Sequence, residues 1–528
     1  MPAADRAGIA AHAAAAPTRL ALVGGTQRWT FGELDARANQ AARRLARAGV
    51  QSDDIVALAW RNRPEWYEAL EGTWRLGAAV VGLPHQSTAD ELAYFVADSD
   101  IRVLLIEGEA RARAAGLPFL AFDDYDPSRA AESADALPDS SSRARRRMRS
   151  YTSGTTGRPK ALVVPSSPDG FAQMIDGGPF LESFGIDGPD EVHLCCAPLY
   201  HSQARGFSFF ALEAGHTVVV MERFDAEEAL RLIERERVTW LSMAPIHFVR
   251  ILALPPETRA RYDLSSIKLV LHAAASCPLH VKWQIMELFP PDVVWEVYGG
   301  TEGQATQISP QEWRRKPGSV GRAAPGATVK ILDDDGNELP CGEVGNVYVS
   351  SSRVRRFAYL HDADATDKAW RGDFFTLGEV GYLDEDGYLF LTDRKKDMIV
   401  TGGANVSSSE VEGVLYGHPA VVDVAVIGLP DAEYGEIVTA VVQLREPVAD
   451  SELVEHCRAR LAPFKCPRRV VMVDELPRDP AGKVRKRDLR ARLAPEASVR
   501  EADPAEQQDV AGAVERCVPG AEGAESGK

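Results

Sequence analysis

The chain has 528 residues, of which 45% are hydrophobic, so we expect more than one domain with its own core. The formal net charge of -17 argues against nucleic-acid binding, which needs a basic surface. The seven cysteines lack CxxC spacing, which argues against a disulfide framework and a zinc site, and no apolar run is long enough to span a membrane. We therefore predict a cytoplasmic protein with free thiols and without a cleaved signal peptide.

The first part of the chain alternates between helical and strand-like patterns. In residues 31–49 apolar residues recur at spacings of three and four, and Gly49 occupies the position of a helix C-cap. Apolar runs typical of strands follow, with helical patterns such as residues 225–237 between them. These runs are residues 54–60, 101–107, 217–222 and 268–274. Such alternation predicts an α/β domain with parallel-rich sheets covered by helices.

After about residue 318 the pattern changes to short alternating strands with Asp-, Asn- and Gly-rich turns, which predicts an antiparallel hairpin layer. Near Lys396 it changes again, to strands at residues 420–429 and 437–444 alternating with helices. Ser407 and Glu410 have the spacing of a capping box at one of these helices. This last pattern predicts a small, mobile α+β C-terminal domain.

We predict three segments: an N-terminal domain over residues 1–394, a C-terminal domain over residues 395–494 with its hinge near Lys396, and a tail over residues 495–528. The tail carries eight acidic and three basic residues with few large apolar ones, which is typical of a disordered segment. The basic run 143-RARRRMRS-150 has two interpretations, a contact for phosphate or a solvated flank of the strand that follows. Its position directly before a strand favours the solvated flank.

The stretch 151-YTSGTTGRPKALVV-164 has the chemistry of an oxyanion site. Glycines leave backbone amides bare, hydroxyl groups donate hydrogen bonds, and a lysine adds positive charge, so the stretch suits a polyphosphate. A flexible polar connection between two strands is the alternative. The sequence is not a P-loop, because no Ser or Thr follows a Gly-Lys pair. The candidate residues are Thr152, Ser153, Gly154, Thr155, Thr156, Gly157 and Lys160.

A second polar cluster, 298-YGGTEG-303, also follows a strand-like run. The aromatic face of Tyr298 can stack on a base, and Gly299 and Gly300 permit close approach of a ligand. Thr301 supplies a hydroxyl group, and Glu302 supplies the hard carboxylate that Mg²⁺ prefers beside phosphate oxygens.

Four ordered motifs resemble those of the adenylate-forming superfamily, which contains acyl-CoA synthetases, aryl-CoA ligases, luciferases and non-ribosomal peptide adenylation domains. The motifs are TSGTTGRPK, YGGTEG, 391-LTDRKKDMIVTGGANVSSSEVE-412 and 475-ELPRDPAGKVRK-486, and the resemblance is collinear over residues 18–490. It implies ATP and Mg²⁺ as cofactors and CoA as a co-substrate. It also implies that the C-terminal domain rotates after a carboxylic acid has been joined to AMP.

The resemblance assigns roles to individual residues. The stretch from Thr152 to Lys160 would hold the β- and γ-phosphates, and Tyr298 would lie against adenine. Thr301 and Glu302 would serve the phosphates and Mg²⁺. The remaining assignments are Arg394 and Glu379 to the ribose, Ala274 to the adenine-side turn, His201 to the acyl pocket, Lys396 to the hinge, and Lys483 to the substrate carboxylate and the α-phosphate.

Three positions depart from the pattern of the family. Ala161 follows Lys160 where glycine is usual, Glu379 replaces an aspartate in 376-TLGE-379, and 407-SSS-409 stands where proline is common. Glu379 nevertheless keeps its spacing of fifteen residues from Arg394. None of these changes removes a charge that the chemistry needs.

Three functions stay open at this stage. The first is an ATP-dependent ligase that activates an aromatic or medium-chain carboxylic acid as acyl-AMP and transfers it to CoA. The second uses another acceptor or acid, as in an amide-forming ligase or an ATP-dependent diazotase that activates nitrite for an aryl amine. The third is a non-catalytic nucleotide-binding relative. Gln203, Arg205 and Gln304 favour a polar or aromatic acid, if they line the pocket.

Overall fold

The computed structural model describes residues 8–108, 113, 116, 119–137, 147–152, 159–163, 177–352, 354, 356–394, 397–479 and 483–494. Of the predicted site, residues 153–157 and Lys396 lie outside the described residues, as does the predicted tail over residues 495–528. For Arg394 the backbone is described and the side chain is not.

The strands of the described residues follow one another along most of the chain. They are β1 Leu20–Gly24, β2 Gln27–Thr30, β3 Ile55–Ala59, β4 Ala79–Gly82, β5 Ile101–Ile106, β6 Phe119–Ala121, β7 Arg147–Thr152, β8 Lys160–Val163, β9 Val192–Cys195, β10 Thr217–Val220, β11 Trp240–Met243, β12 Leu269–His272, β13 Val294–Gly300, β14 Gly303–Ile308, β15 Arg322–Ala323, β16 Ala327–Leu332, β17 Gly345–Ser351, β18 Ala358–Tyr359, β19 Trp370–Arg371, β20 Phe374–Phe375, β21 Glu379–Leu383, β22 Leu389–Arg394, β23 Ile399–Thr401, β24 Ala404–Val406, β25 Val421–Asp431, β26 Gly435–Leu444 and β27 Arg469–Met472.

The helices of the described residues complete the architecture. They are α1 Ile9–Ala15, α2 Phe31–Arg47, α3 Glu65–Arg75, α4 Ala89–Ser99, α5 Phe122–Ala130, α6 Gly177–Glu182, α7 Ser202–Ala214, α8 Ala226–Arg235, α9 Pro245–Leu252, α10 Pro256–Arg259, α11 Leu279–Leu288, α12 Pro310–Arg315, α13 Ala363–Ala369, α14 Ser408–Tyr416, α15 Asp450–Arg458 and α16 Lys486–Leu493.

Two sheets with parallel centres form the N-terminal part. Within the described residues, one has nine strands in the order β15-β14-β13-β12-β11-β9-β10-β1-β2, and the other has seven in the order β18-β8-β7-β4-β3-β5-β6. The pairs from β13 to β1 and from β7 to β6 are parallel, with antiparallel strands added at the ends. Parallel strands need helical crossovers, as the sequence pattern predicted.

The hairpin layer follows, as predicted, and has antiparallel strands β16, β17 and β19 to β22. The last part of the chain pairs β24, β23, β26 and β25 in antiparallel fashion and adds β27 parallel to β26. Its buried apolar residues cluster only with one another, from Ile399 onward. The α/β fold with a smaller α+β C-terminal part is therefore confirmed.

Local sequence explains where the helices begin. Thr30 and Glu33 form a complete capping box at α2. The capping box predicted at α14 is only half formed, because Ser407 accepts a hydrogen bond from the Glu410 amide while the Glu410 carboxylate pairs with Lys465 at 2.7 Å. The Ser407 hydroxyl also donates to the Thr392 carbonyl at 2.6 Å, a contact that joins α14 to β22.

Two predictions from composition can be compared with the described residues. The six cysteines among them are free thiols. No helix within the described residues is long and apolar enough to cross a membrane. In the described end of the basic run, Arg147 pairs with Asp53 at 2.5 Å and Arg149 donates to the Ser99 carbonyl at 3.0 Å, so both arginines hold β7 to its neighbours.

Buried histidines set a pH dependence for stability. Burial lowers the pKa of His193 and His247 to about 3 and that of His216 to about 4. The unfolded chain binds protons below about pH 6.5 that these folded imidazoles do not bind, so stability rises with pH between about 4 and 6.5. For each histidine, the free energy of unfolding rises by about 1.4 kcal/mol per pH unit within this window.

We expect the urea midpoint, followed by tryptophan fluorescence, to fall as the pH is lowered from 6.5 to 4.5. The variant His193→Gln should show a shallower dependence, because one titrating group is removed. A midpoint that stays constant or rises on acidification would contradict this expectation.

Candidate active site

The hairpin of β13 and β14 carries the second polar cluster to one edge of the nine-stranded sheet. The Tyr298 hydroxyl donates to the Glu379 carboxylate at 3.0 Å, and Glu379 is buried. Across the hairpin layer, Glu379 on β21 faces Arg394 on β22 in the antiparallel register. The structure therefore brings Tyr298, Glu379 and the Arg394 backbone together, as the spacing of the motifs implied.

Gly299 is required by close packing of the hairpin. A Cβ atom at this position would lie 2.5 Å from the Gly303 carbonyl oxygen and 2.8 Å from the Gln304 Cα. At Gly300 a Cβ atom would lie 2.5 Å from the Glu302 carboxylate and 2.9 Å from Leu377. Both glycines thus leave room for the turn that presents Thr301 and Glu302.

Glu302 has a partner that the sequence did not indicate. The Tyr359 hydroxyl on β18 donates to the Glu302 carboxylate at 3.0 Å. Burial raises the pKa of Glu302, the nearby Glu379 acts in the same direction, and the Tyr359 hydrogen bond and the Lys483 charge oppose it. Because desolvation disfavours the free ionised carboxylate, a cation bound beside Glu302 would stabilise it.

Lys160 lies at the start of β8, next to the predicted phosphate loop. Its ammonium group pairs with Asp362 at 2.8 Å and lies over the Tyr359 ring, 5.7 Å from the centroid. Thr152 at the end of β7 faces Lys160 across the β7–β8 pair. Residues 153–157, which connect them, lie outside the described residues, so the predicted contacts of this loop with phosphates stay a prediction.

We refer to residues 197–201 as the pocket loop; it leads into α7. Ser202 at the start of the helix lies 3.2 Å from Thr301, hydroxyl to hydroxyl. The Tyr200 hydroxyl and His201 Nε2 are buried and have no hydrogen-bond partner among the described residues. Burial, together with the positive charges of Lys483 and Arg205, lowers the pKa of His201 to about 3, so its imidazole is neutral at physiological pH.

We refer to residues 477–479 and 483–485 as the lysine hairpin, which brings Lys483 to the site; residues 480–482 between them lie outside the described residues. The backbone amide of Lys483 donates to the Asp479 carboxylate at 2.8 Å, and Arg478 and Val484 form an antiparallel bridge. The charges of Asp479 and Arg485 act on the Tyr200 hydroxyl, and the charge of Lys483 acts on His201 and Glu302. The lysine hairpin therefore lies against the pocket loop.

The arginine of the lysine hairpin ties it to its own domain. Arg478 makes a bidentate contact with Asp423, from Nη2 to Oδ1 at 2.6 Å and from Nε to Oδ2 at 3.0 Å, and the Tyr416 hydroxyl donates to the same carboxylate at 2.5 Å. Bidentate arginine–carboxylate pairs fix orientation as well as distance. The lysine hairpin is thus fixed to the part of the chain that contains α14 and β25.

Ala274 follows β12 and has a backbone φ of 77°, a conformation that L-residues other than Asn and Asp rarely adopt. Because β12 and β13 are parallel neighbours paired at His272 and Glu296, this turn lies beside the strand that carries Tyr298. The position agrees with the predicted adenine-side turn, and the role of Ala274 there stays a prediction.

The site fits ATP and one divalent cation on its own chemistry. Two buried polar atoms, the Tyr200 hydroxyl and His201 Nε2, have no hydrogen-bond partner among the described residues. Glu302 supplies one hard carboxylate ligand, as Mg²⁺ requires when substrate phosphates provide others. Among the described residues no group of three or more His, Cys, Asp or Glu forms a metal cage of its own.

The structure corrects the interpretation of Arg205 and shows where Ala161 lies. Arg205 does not line a pocket, because its side chain is buried and its donors are directed to protein atoms. Ala161 is fully buried in β8 opposite Tyr151, so its methyl group packs inside the sheet. The Gln304 amide donates to Gln307 at 3.3 Å.

Tyr359, Asp362 and Asp479 are site residues that the sequence analysis missed. Tyr359 is separated by 57 residues from Glu302, and no local motif links the two. Asp479 could have been found from the local sequence 477-PRDPAGK-483, because aspartate often accepts hydrogen bonds from backbone amides a few residues further on.

Residues 9–356 match the protein family described as "AMP-binding enzyme". Residues 410–483 match the C-terminal domain of AMP-binding enzymes. The chain belongs to this family. It is 31% identical to the indoleacetate–CoA ligase of Aromatoleum aromaticum over 505 residues, which cover 92% of this chain and 97% of that protein.

Solved structures agree with this membership. The O-succinylbenzoate coenzyme A synthetase of Bacillus subtilis in complex with ATP and a magnesium ion superposes with a TM-score of 0.79 at 28% identity, covering 92% of this chain and 98% of that chain. The amide bond synthetase of Marinactinospora thermotolerans superposes with a TM-score of 0.77 at 28% identity, covering 90% and 97%.

The predictions of the adenylate-forming superfamily and of an AMP-forming acid ligase of the CoA-ligase type are confirmed. The predicted cofactors, ATP and Mg²⁺, are confirmed by the family together with the neighbour that binds both. The roles of the individual site residues stay predictions.

We expect Tyr359→Phe to weaken the binding of Mg²⁺, because Glu302 loses the hydrogen bond that orients its carboxylate. The Mg²⁺ concentration for half-maximal activity should rise by about threefold to tenfold, the range for loss of one typical hydrogen bond. Acid-dependent pyrophosphate exchange at increasing Mg²⁺ measures this change.

Tyr382→Phe is the matched control, since Tyr382 stacks on Phe390 in the hairpin layer with ring centroids 5.1 Å apart. An equal Mg²⁺ dependence in Tyr359→Phe and in the control would contradict a role for Tyr359.

Proposed function

We propose that the protein activates an aromatic or medium-chain carboxylic acid as acyl-AMP, with release of pyrophosphate, and transfers the acyl group to CoA. The observation that carries this proposal is the position of Lys483, whose charge acts on both His201 and Glu302. A cation held there faces a carboxylic acid in the pocket and phosphates beside Glu302 at once.

Lys483 has the main electrostatic role in this proposal. During attack on the α-phosphate, negative charge builds on its oxygens and on the departing pyrophosphate. Lys483 holds the substrate carboxylate next to the α-phosphate and stabilises that charge. Asp479 fixes the backbone of Lys483, and Arg478 holds the lysine hairpin through Asp423.

The residues of the N-terminal part bind and orient the nucleotide. Tyr298 would lie against adenine, oriented by its 3.0 Å hydrogen bond to Glu379; Glu379 would accept hydrogen bonds from the ribose hydroxyls and Arg394 would donate to the ribose. Lys160 would exchange its contact with Asp362 for the phosphates. Glu302 would hold Mg²⁺, which would neutralise phosphate charge, and Thr301 would donate to the phosphates.

His201 acts as a neutral group in the acid pocket. Because its pKa is lowered to about 3, the imidazole neither donates a proton at physiological pH nor competes with Lys483 for the substrate carboxylate. It packs on Tyr200 with ring centroids 4.1 Å apart and closes one side of the pocket.

Motion of the C-terminal part belongs to the same proposal. The boundaries are those expected from the sequence, residues 1–394 and 395–494, with the hinge near Lys396. Separate apolar cores support independent movement. Among the described residues, the contacts across the boundary include the hydrogen bond from Ser407 to Thr392 and the rings of His280 and Tyr416, whose centroids lie 5.8 Å apart. Rotation withdraws Lys483 and admits CoA. The cytoplasmic location stays a prediction.

The acid and the acceptor are tested together. Purified protein is assayed for ATP-dependent pyrophosphate release with aromatic acids, short to long fatty acids, and nitrite with aminobenzoates, each with and without CoA. We expect release with an aromatic or medium-chain acid and a thioester when CoA is present.

Other outcomes of this panel identify the alternatives. An amide formed without CoA would indicate an amine acceptor, a possibility that the similarity to an amide bond synthetase supports. Release with nitrite and an aryl amine would indicate a diazotase, and absence of release with every acid would contradict the proposed function.

Lys483→Ala should lower acid-dependent pyrophosphate exchange by about 100-fold or more, as expected for loss of a group that stabilises transition-state charge. Transfer from preformed acyl-AMP to CoA should change by less than about threefold, because that step does not develop charge on the α-phosphate in the same way. The matched control is Lys465→Ala, which removes a lysine of the C-terminal part that pairs with Glu410. Equal exchange rates in the two variants would contradict the role of Lys483.

A further inference from the structure

Arg205 on α7 is a buried cation with an unusual set of partners. Its side chain is 2% exposed, and its guanidinium donates to the carbonyl oxygens of Leu199 at 3.1 Å and Tyr200 at 2.8 Å. On the other side it donates to the Ser150 hydroxyl at 2.9 Å and contacts the Met148 sulfur at 3.3 Å. All of these partners are uncharged.

No carboxylate among the described residues forms an ion pair with Arg205, and burial alone lowers its pKa, to about 10. The side chain is therefore still charged at physiological pH. A buried charge without a counter-ion is costly, and hydrophobic residues of similar volume usually pack as well. The reason for a charged residue at this position therefore lies in the segments that its hydrogen bonds connect.

The two groups of partners belong to the two halves of the active site. Leu199 and Tyr200 lie in the pocket loop, directly before His201. Met148 and Ser150 lie on β7, whose last residue, Thr152, begins the predicted phosphate loop.

Gly82 at the end of β4 makes room for this connection. A Cβ atom there would lie 2.6 Å from the Arg205 guanidinium and 2.7 Å from the Tyr200 Cα. The strand, the pocket loop and the arginine are therefore packed against one another without space for a longer side chain at position 82.

We propose that Arg205 is a positioning residue for adenylation: its guanidinium fixes the pocket loop, which holds the acid, against the strand that leads to the ATP phosphates. This inference rests on the proposed function. The planar guanidinium holds four partners with donors in a fixed arrangement, which a lysine ammonium group cannot do. Small errors in the distance between the acid and the α-phosphate slow the reaction strongly, because the reacting atoms must lie within about 3.5 Å.

The test compares Arg205→Met and Arg205→Lys with the wild-type protein in single-turnover formation of acyl-AMP. The amplitude of the burst per chain counts correctly folded sites, and its rate reports the geometry of those sites. We expect Arg205→Met to lower the rate by about 10-fold to 100-fold with an unchanged amplitude, and Arg205→Lys to recover only part of it. KM for ATP and for the acid should change by less than about threefold, since neither ligand contacts the arginine.

Arg75→Met is the matched control, because Arg75 is also buried but pairs with Asp35 at 2.6 Å from its place on α3. It should lower the melting temperature without changing the burst rate. If Arg205→Met fails to fold, Ser150→Ala removes one partner and leaves the arginine, and it should slow the burst by about threefold to tenfold, the value of one typical hydrogen bond.

A lower amplitude at the wild-type burst rate in the Arg205 variants, or in Ser150→Ala, would show that Arg205 serves stability alone and would overturn the inference. Wild-type protein that forms no acyl-AMP with any acid would instead contradict the proposed function and, with it, this inference.

Discussion

The half-buried carboxylate of Glu302 is the constraint around which the site is arranged. A carboxylate with restricted access to water is stabilised by donors or positive charge beside it. The structure provides the Tyr359 hydroxyl at 3.0 Å and the charge of Lys483. Since Tyr359 belongs to the seven-stranded sheet and Lys483 to the lysine hairpin, the environment of Glu302 depends on how both of these pack around β13.

Tyr359 shows how one strand serves several parts of the site. It lies on β18, which pairs with β8 directly after Lys160, and its ring lies under the Lys160 ammonium group. The same short strand thus sets the distance between the lysine of the phosphate loop and the carboxylate assigned to the metal. Asp362, three residues further on, also caps α13 and pairs with Lys160.

In the proposed function, placing Lys483 on the C-terminal part would give the site two states without a change in its chemistry. A cation fixed permanently beside the α-phosphate would lie in the path of a second substrate. Anchored by Arg478 to Asp423, the lysine hairpin would enter and leave the site with the C-terminal part as a unit. Glu379, in place of a shorter aspartate, reaches the Tyr298 hydroxyl, so this departure from the family pattern adds a contact within the site.

The sequence by itself determined the superfamily, the α/β class, the hairpin layer and the smaller C-terminal part, because apolar periodicity and ordered motifs are local and survive in the linear chain. It also indicated Tyr298, Glu302, Glu379 and Lys483, whose residue types match phosphate and nucleotide chemistry. Only the tertiary structure revealed Tyr359, Asp362 and the connection made by Arg205, and it moved Arg205 from the pocket to the protein interior. These contacts join segments tens to hundreds of residues apart, and the burial that gives them their energetic weight exists only after the sheets have packed.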